Sequence, residues 1–198
     1  GLLFLIAAGF ELFIHIAHQE KDKSRVLVKL VSDMKNGLAY MVKSNPHILK
    51  LAFIGMGLNL ILMPFFIVGA PFIIRVSMGA TDQIYGISVA IIQVSSVVGA
   101  LMVGLLAHKI KVNEIYKIIA FMGLMTIPLA LSVIPYVMGL GFWFTYICLM
   151  FFMVPIIMTM TMTTLYVVTS VQRETPHLLL GKVLAVVTMI SQLAAPLG

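Results

Sequence analysis

Glu11 is a carboxylate set inside an apolar run, LLFLIAAGFELFIHIA. Carboxylates in such runs mark proton relays when they lie within a membrane. Glu11 is therefore the candidate for carrying a coupling proton. It also stands about six residues, roughly 9 Å of helical rise, before the polar stretch that follows Ala17, close enough to snorkel to a membrane interface. His15 and His18 share its helical face, but two histidines at i, i+3 with no third ligand do not make a metal centre, so no metal is expected. Asn59 is the strongly polar residue deep in the uncharged stretch Leu51 to Ile74. Its amide either hydrogen-bonds a bound solute or clasps a neighbouring helix. Further on, MTMTMTTLYVVT puts Thr159, Thr163 and Tyr166 on one face at i, i+4, i+7, with Met158 and Met162 alongside. A polar-edged, methionine-rich wall suits a pocket that adapts to varied apolar ligands. The same threonines can equally bond the carbonyl four residues back in their own helix. Gln93, Ser95 and Ser96 precede Gly99, and small residues there suit close helix packing more than ligand contact.

None of these groups assembles into a covalent catalyst. The chain has no HExxH, no GxSxG, no phosphate-cradling glycine loop and no clustered carboxylates. Its one cysteine, Cys148, lies in an apolar run and reads as small apolar filler, which leaves no disulfide framework. The expectation is a protein that binds and moves something rather than an enzyme, with no cofactor.

The elements that must position these residues follow from composition. Apolar residues make up 61% of the chain and charged residues 10%, against about 25% charged in an ordinary soluble domain. Such a chain cannot cover a water-facing surface, so its solvent is lipid, and the fold class is an all-α polytopic membrane bundle. A helix needs about 20 apolar residues to cross a hydrocarbon core. Leu51–Ile74 and Ile84–Ala107 each suffice for one span, and the uncharged stretch Ile118–Gln172 holds two, broken near Pro135–Gly141. Residues 1–17 read as the tail of an earlier span, and Val183 opens a last one. That gives four full spans and two partial ones, with the chain expected to be a fragment of a longer protein. Pro64, Pro71, Pro128, Pro155 and Pro196 fall inside spans, where they act as hinges or simply shape the bundle.

Threading the chain back and forth puts every one of the 13 basic residues except Arg75 on one side. The positive-inside rule makes that side cytoplasmic. A net charge of +6 distributed in this way suits a membrane surface and argues against nucleic acid. Residues 18–50 are then a cytoplasmic linker. Within it Leu27, Leu30, Val31, Met34, Leu38 and Met41 recur at helical spacing opposite Lys29, Asp33, Lys35, Asn36 and Lys43, which predicts an amphipathic helix on the inner membrane face, ended at Asn45–Pro46. Lys29 and Asp33 form a possible i, i+4 pair.

Three stretches resemble the major facilitator superfamily, in its drug/proton antiporter branch with the macrolide-efflux-like permeases. SDMKNGLAYMVKSNPHILKL, with Asp33, Gly37, Tyr40, Pro46 and Leu49, resembles the linker helix leading into that family's seventh span. GALMVGLLAHKIKV resembles a degenerate form of the glycine-rich basic signature between spans eight and nine, keeping Gly99, Gly104 and Lys109. VQRETPHLLLGKVLAVVTMISQLAAPLG, with Pro176, Gly181, Lys182, Pro196 and Gly198, is similar to the loop and start of span eleven. The resemblance implies that residues 51–198 are spans seven to ten and the start of span eleven, most of a C-terminal half. It implies that the seventh and tenth spans line a central cavity, with Asn59, Thr159, Met162, Thr163 and Tyr166 as its candidate lining. It also implies proton-coupled efflux of a small molecule by alternating access, in a multi-pass protein of the cytoplasmic membrane whose partners are lipid, solute, protons and the N-terminal half. The alternatives are the membrane subunit of an ATP-driven transporter and, more remotely, a membrane-embedded enzyme.

Overall fold

Proline and glycine set where the helices stop. The computed structural model describes residues 9, 23–106 and 115–193. These form α1 (Lys23–Lys43), α2 (Pro46–Ser77), α3 (Asp82–Leu106), α4 (Ile115–Ser132), the short α5 (Pro135–Met138), α6 (Phe142–Glu174) and α7 (His177–Leu193). Asn45 precedes Pro46 and leaves the helical region at φ −143°, ψ 78°, as a residue before proline does. Thr175 precedes Pro176 and is extended at φ −104°, ψ 128°. At the other end of the bundle, Gly79 and Gly141 make the turns with φ of +65° and +124°, a region that glycine enters without steric cost.

Four helices, α2, α3, α4 and α6, are long and apolar enough to cross a membrane, and they coincide with the uncharged stretches of the sequence. Large apolar side chains such as Ile61, Leu105 and Phe151 point outward, where lipid is the natural solvent. α7 is apolar but shorter at 17 residues. Its helix begins at His177, six positions earlier than the expected start of a span at Val183. In α2 the α-helical part ends at Pro64, and the chain continues in wide π turns over Phe65–Gly69 and Phe72–Ser77. A proline lacks the N–H of the normal ladder, and here the next donors reach five residues back, as Met78 N–H does to the Ile73 carbonyl at 2.9 Å.

The helices exchange partners. α3 and α4 both pack mainly on α6, whereas α2 packs mainly on α7, with α1 seated on α7 and on the start of α2. One core gathers Leu62, Ile74, Met122, Tyr146, Leu149 and Met153; a second gathers Met41, Ile48, Ala52, Val171, Val183 and Val187. These clusters also fix the two ends of the bundle. The starts of α2, α4 and α7 and the end of α6 lie together, and their flanks carry Lys50, Lys117, Arg173 and Lys182. The opposite end holds Arg75, which pairs with Asp82 and lies over the Tyr85 ring at 4.7 Å. Exposed Tyr136 and Trp143 lie on the turn and helix start at that end, where amphipathic rings suit a headgroup boundary.

α1 departs from the expected pattern. Met34 and Met41 of its apolar stripe are turned into the contact with α7, while Val31 and Leu38 of the same stripe face outward. Gly37 makes this possible, because a Cβ at that position would stand 2.8 Å from the Lys182 carbonyl oxygen. Asp33 does not pair with Lys29; it takes the Lys182 amine at 2.8 Å. The partner across the helix seam wins because Asp33 lies on the docked face and Lys29 does not.

Candidate functional site

The five candidate cavity residues sit on α2 and α6 as their spacing requires, but their polar atoms turn mainly to their own helices. Asn59 is half-buried and donates an amide proton to the Gly55 carbonyl at 3.0 Å. Thr159 donates to the Pro155 and Ile156 carbonyls, at 2.7 and 3.0 Å. Thr163, 1% exposed, bonds the Thr159 carbonyl at 2.9 Å. This back-bonding is what short hydroxyls do when no external partner is closer. Met162 is buried. Tyr166 packs its ring on the cluster of Leu51, Ile115 and Val167, so the Thr163–Tyr166 side of α6 meets α2 and the start of α4.

Open volume lies elsewhere. A groove of about 760 Å³ runs between α3, α4 and α6, lined by Phe121, Met125, Tyr146, Met150, Phe151 and Pro155 among others. A second space of about 310 Å³ lies between the π turns of α2 and α3, against Phe66, Pro71, Ile74, Tyr85 and Ser88. None of the five candidates lines either one. The larger is almost wholly apolar and the smaller mainly so, and the buried polar feature beside them is a hydroxyl pair, Ser88 with Tyr146 at 2.9 Å.

The residues of the degenerate signature serve different ends. Gly99 lies where α3 crosses α6, and a Cβ there would come within 2.6 Å of the Met158 carbonyl oxygen. It is a close-approach point, reinforced by Ser96 and Thr161 hydroxyls at 3.1 Å. Ser95 bonds its own helix at the Ile91 carbonyl, 2.7 Å away. Gly104 faces open space. Lys109, like Glu11, His15, His18 and Pro196, falls outside the described residues.

The densest polar cluster is one that sequence reasoning did not assemble. The Glu174 carboxylate accepts from Asn45 Nδ2 at 3.1 Å and stands 3.1 Å from His47 Nδ1. Its main-chain carbonyl accepts the Tyr40 hydroxyl at 3.1 Å. With Asp33–Lys182, these contacts tie α1 and the start of α2 to the α6–α7 corner. The Thr175 hydroxyl beside them is buried with no partner among the described residues. The available signal was the pair of X-Pro corners, Asn45–Pro46 and Thr175–Pro176, which span counting puts at the same end. What it lacked was any measure of which side chains meet across the corner. Set beside known proteins, the chain matches no family model, no curated protein and no solved structure.

Proposed function

We propose that this chain is most of the C-terminal half of a secondary transporter of the major facilitator type, working in the cytoplasmic membrane by proton-coupled alternating access, in the direction of efflux. The observation that carries the reading is the order and pairing of the spans. The first and fourth, α2 and α6, have 32 and 33 residues, while the two between them have 25 and 18. The group opened by α2 and the group opened by α6 exchange partners, α7 joining α2 while α3 and α4 join α6. Two interleaved groups that each open on a long, proline-bearing span fit the nested repeats on which such halves are built.

A second observation supports a missing complement. Gln93 is exposed midway along α3. A side-chain amide facing hydrocarbon is costly, so this face suits a protein surface or a water-filled pathway. In this reading Asn59 contributes to the solute cavity from α2, and Thr159, Met162, Thr163 and Tyr166 shape its wall from α6 as packing residues. Glu11 is the candidate for proton coupling. Gathering of the lysines at one end of the bundle supports placing that end in the cytoplasm, with residues 18–50 on that side.

The test is transport by the full-length protein in proteoliposomes with an imposed proton gradient. Solute movement that collapses with a protonophore is expected, with none from the present chain alone. Dependence on ATP instead would assign the chain to an ATP-driven transporter. Full proton-driven transport by the present chain alone would overturn the two-half reading.

A further inference from the structure

α1 has three faces, and two are accounted for. Asp33, Gly37, Tyr40 and Met41 lie against α7, the α6–α7 corner and the start of α2. The third face is a narrow apolar stripe. Val31, Leu38 and Val42 are 65, 44 and 53% exposed, and at i, i+7, i+11 they fall within roughly 40° of one another on a helix turning about 100° per residue. Lys35 lies roughly 40° from Val31 on the same wheel, with Lys43 and Lys29 further round on the water side. All three amines are exposed and make no ion pair among the described residues.

We propose that this stripe, with Lys35 at its edge and Lys43 and Lys29 on the water side of the same helix, is a docking surface for anionic phospholipid of the bilayer that the spans cross. Val31, Leu38 and Val42 enter the upper acyl region and the amines meet the headgroups. Three observations select that occupant. The acidic groups described at this end, Asp33 and Glu174, are already engaged by Lys182 and by Asn45 and His47, so among the described residues nothing acidic pairs with the lysines of this surface. A second copy of the chain would offer the same charge at the same end and be repelled. Finally, α1 is held against the first turns of α7: Gly37 meets the Lys182 carbonyl, roughly 8 Å of rise from the water-facing start of that helix, and its sequence is uncharged from Val183 to Met189. An apolar stripe edged by lysines at that height is the pattern of a helix lying in the interface of an anionic membrane. Because the opposite face of α1 grips α7 and Glu174, lipid bound here bears directly on the α6–α7 corner. The inference needs the spans to cross a bilayer and is independent of whether the protein transports anything.

The test uses the full-length protein carrying Cys148→Ser and Leu38→Cys, spin-labelled and placed in nanodiscs of phosphatidylcholine with or without phosphatidylglycerol. With phosphatidylglycerol present, the label is expected to collide with oxygen in preference to a water-soluble nickel chelate. Omission of the anionic lipid, high salt, or the triple change Lys29→Gln, Lys35→Gln, Lys43→Gln is expected to shift it toward the chelate. A label at Asn36→Cys is expected to stay open to the chelate throughout, reporting that α1 remains folded. Native mass spectrometry provides a measurement free of the label, with retention of phosphatidylglycerol over phosphatidylcholine expected to be lost in the triple variant. The proposal is overturned by a Leu38→Cys label open to the chelate in anionic discs, or shielded from both collision partners as under a protein. Lipid exposure and lipid retention indifferent to phosphatidylglycerol and to the lysines would overturn it equally.

Discussion

Two seams hold this bundle together, and they use opposite chemistry. Where α3 crosses α6, the contacts are a glycine and neutral hydroxyls: Gly99 under the Met158 carbonyl, Ser88 with Tyr146, Ser96 with Thr161. Where α1 and α2 meet α7 and the end of α6, the contacts are charged or amide-bearing: Asp33 with Lys182, and Glu174 with Asn45 and His47. Depth explains the difference. In the apolar middle of the helices no water reaches an unpaired charge, so Gly99 and the Ser96–Thr161 pair rely on backbone proximity and on short hydroxyls that can fall back on a helix carbonyl. At the water-facing end a charged pair costs little to form and contributes little alone.

The sharpest way to break that contrast is through the glycines. Gly99→Val drives a branched side chain into the backbone of Met158, which cannot step aside, and overpacking of this kind costs typically about 3 kcal/mol at its upper range. A large fall in detergent-unfolding midpoint is expected, with loss of α3–α6 crosslinking. In the other seam, Gly55 faces the Ser191 hydroxyl, where a Cβ would lie 2.8 Å from a side-chain oxygen. That hydroxyl can rotate, so Gly55→Ala is expected to change stability by less than about 1 kcal/mol. Equal losses at Gly55→Ala and Gly99→Val would remove the distinction.

Next in size is the buried hydroxyl pair. Ser88→Ala leaves the Tyr146 hydroxyl without its partner in an apolar surround, at a cost of about 1–2 kcal/mol. The double variant with Tyr146→Phe should recover part of that loss, and a double-mutant cycle in the same unfolding assay gives the coupling. No dependence on salt is expected. The charged seam should behave differently: Lys182→Gln is expected to cost about 0.5 kcal/mol at low ionic strength, because both partners are about one-third exposed and such pairs are weak. That difference should fade as salt is added.

Of the fold, what was legible is what one-dimensional physics controls. Uncharged runs located the long apolar helices, and Asn45–Pro46 and Pro135–Gly141 located two of the turns. The π turns of α2 were not legible: Pro64 and Pro71 announce a broken ladder, but Pro155 announces one too, and α6 stays α-helical through it. What differs between the two helices is packing, since α6 is wrapped by α3, α4 and α2, and packing is not written in the proline positions. Pairings across helices were equally out of reach. Lys29 was the nearest basic residue to Asp33 by helical spacing, and only the seating of Gly37 on α7 reveals that Asp33 faces Lys182. For the candidate site, helical spacing correctly placed Thr159 and Thr163 on one face, but a face has no address until its neighbour is known. The neighbour here is packed protein rather than open cavity.

Asn59 gives the smallest expected effect on stability and the most informative one. Its amide bonds only the Gly55 carbonyl of its own helix among the described residues, and that carbonyl already serves the backbone ladder. Asn59→Leu keeps the number and branching of the side-chain heavy atoms, removes a polar group from an apolar helix and leaves no partner orphaned, so the unfolding midpoint should stay within about 0.5 kcal/mol of the parent. An amide that clasps a neighbouring span would behave otherwise, since its loss would leave the partner unsatisfied and lower the midpoint by about 1 kcal/mol. Transport then separates the remaining possibilities. If Asn59 holds solute, full-length Asn59→Leu should fail in transport while unfolding normally, and Asn59→Gln should restore part of it. If both stability and transport survive the leucine, Asn59 belongs with Thr159 and Thr163 as a polar residue satisfied by its own helix, and the solute cavity has to be sought on the exposed face of α3 around Gln93.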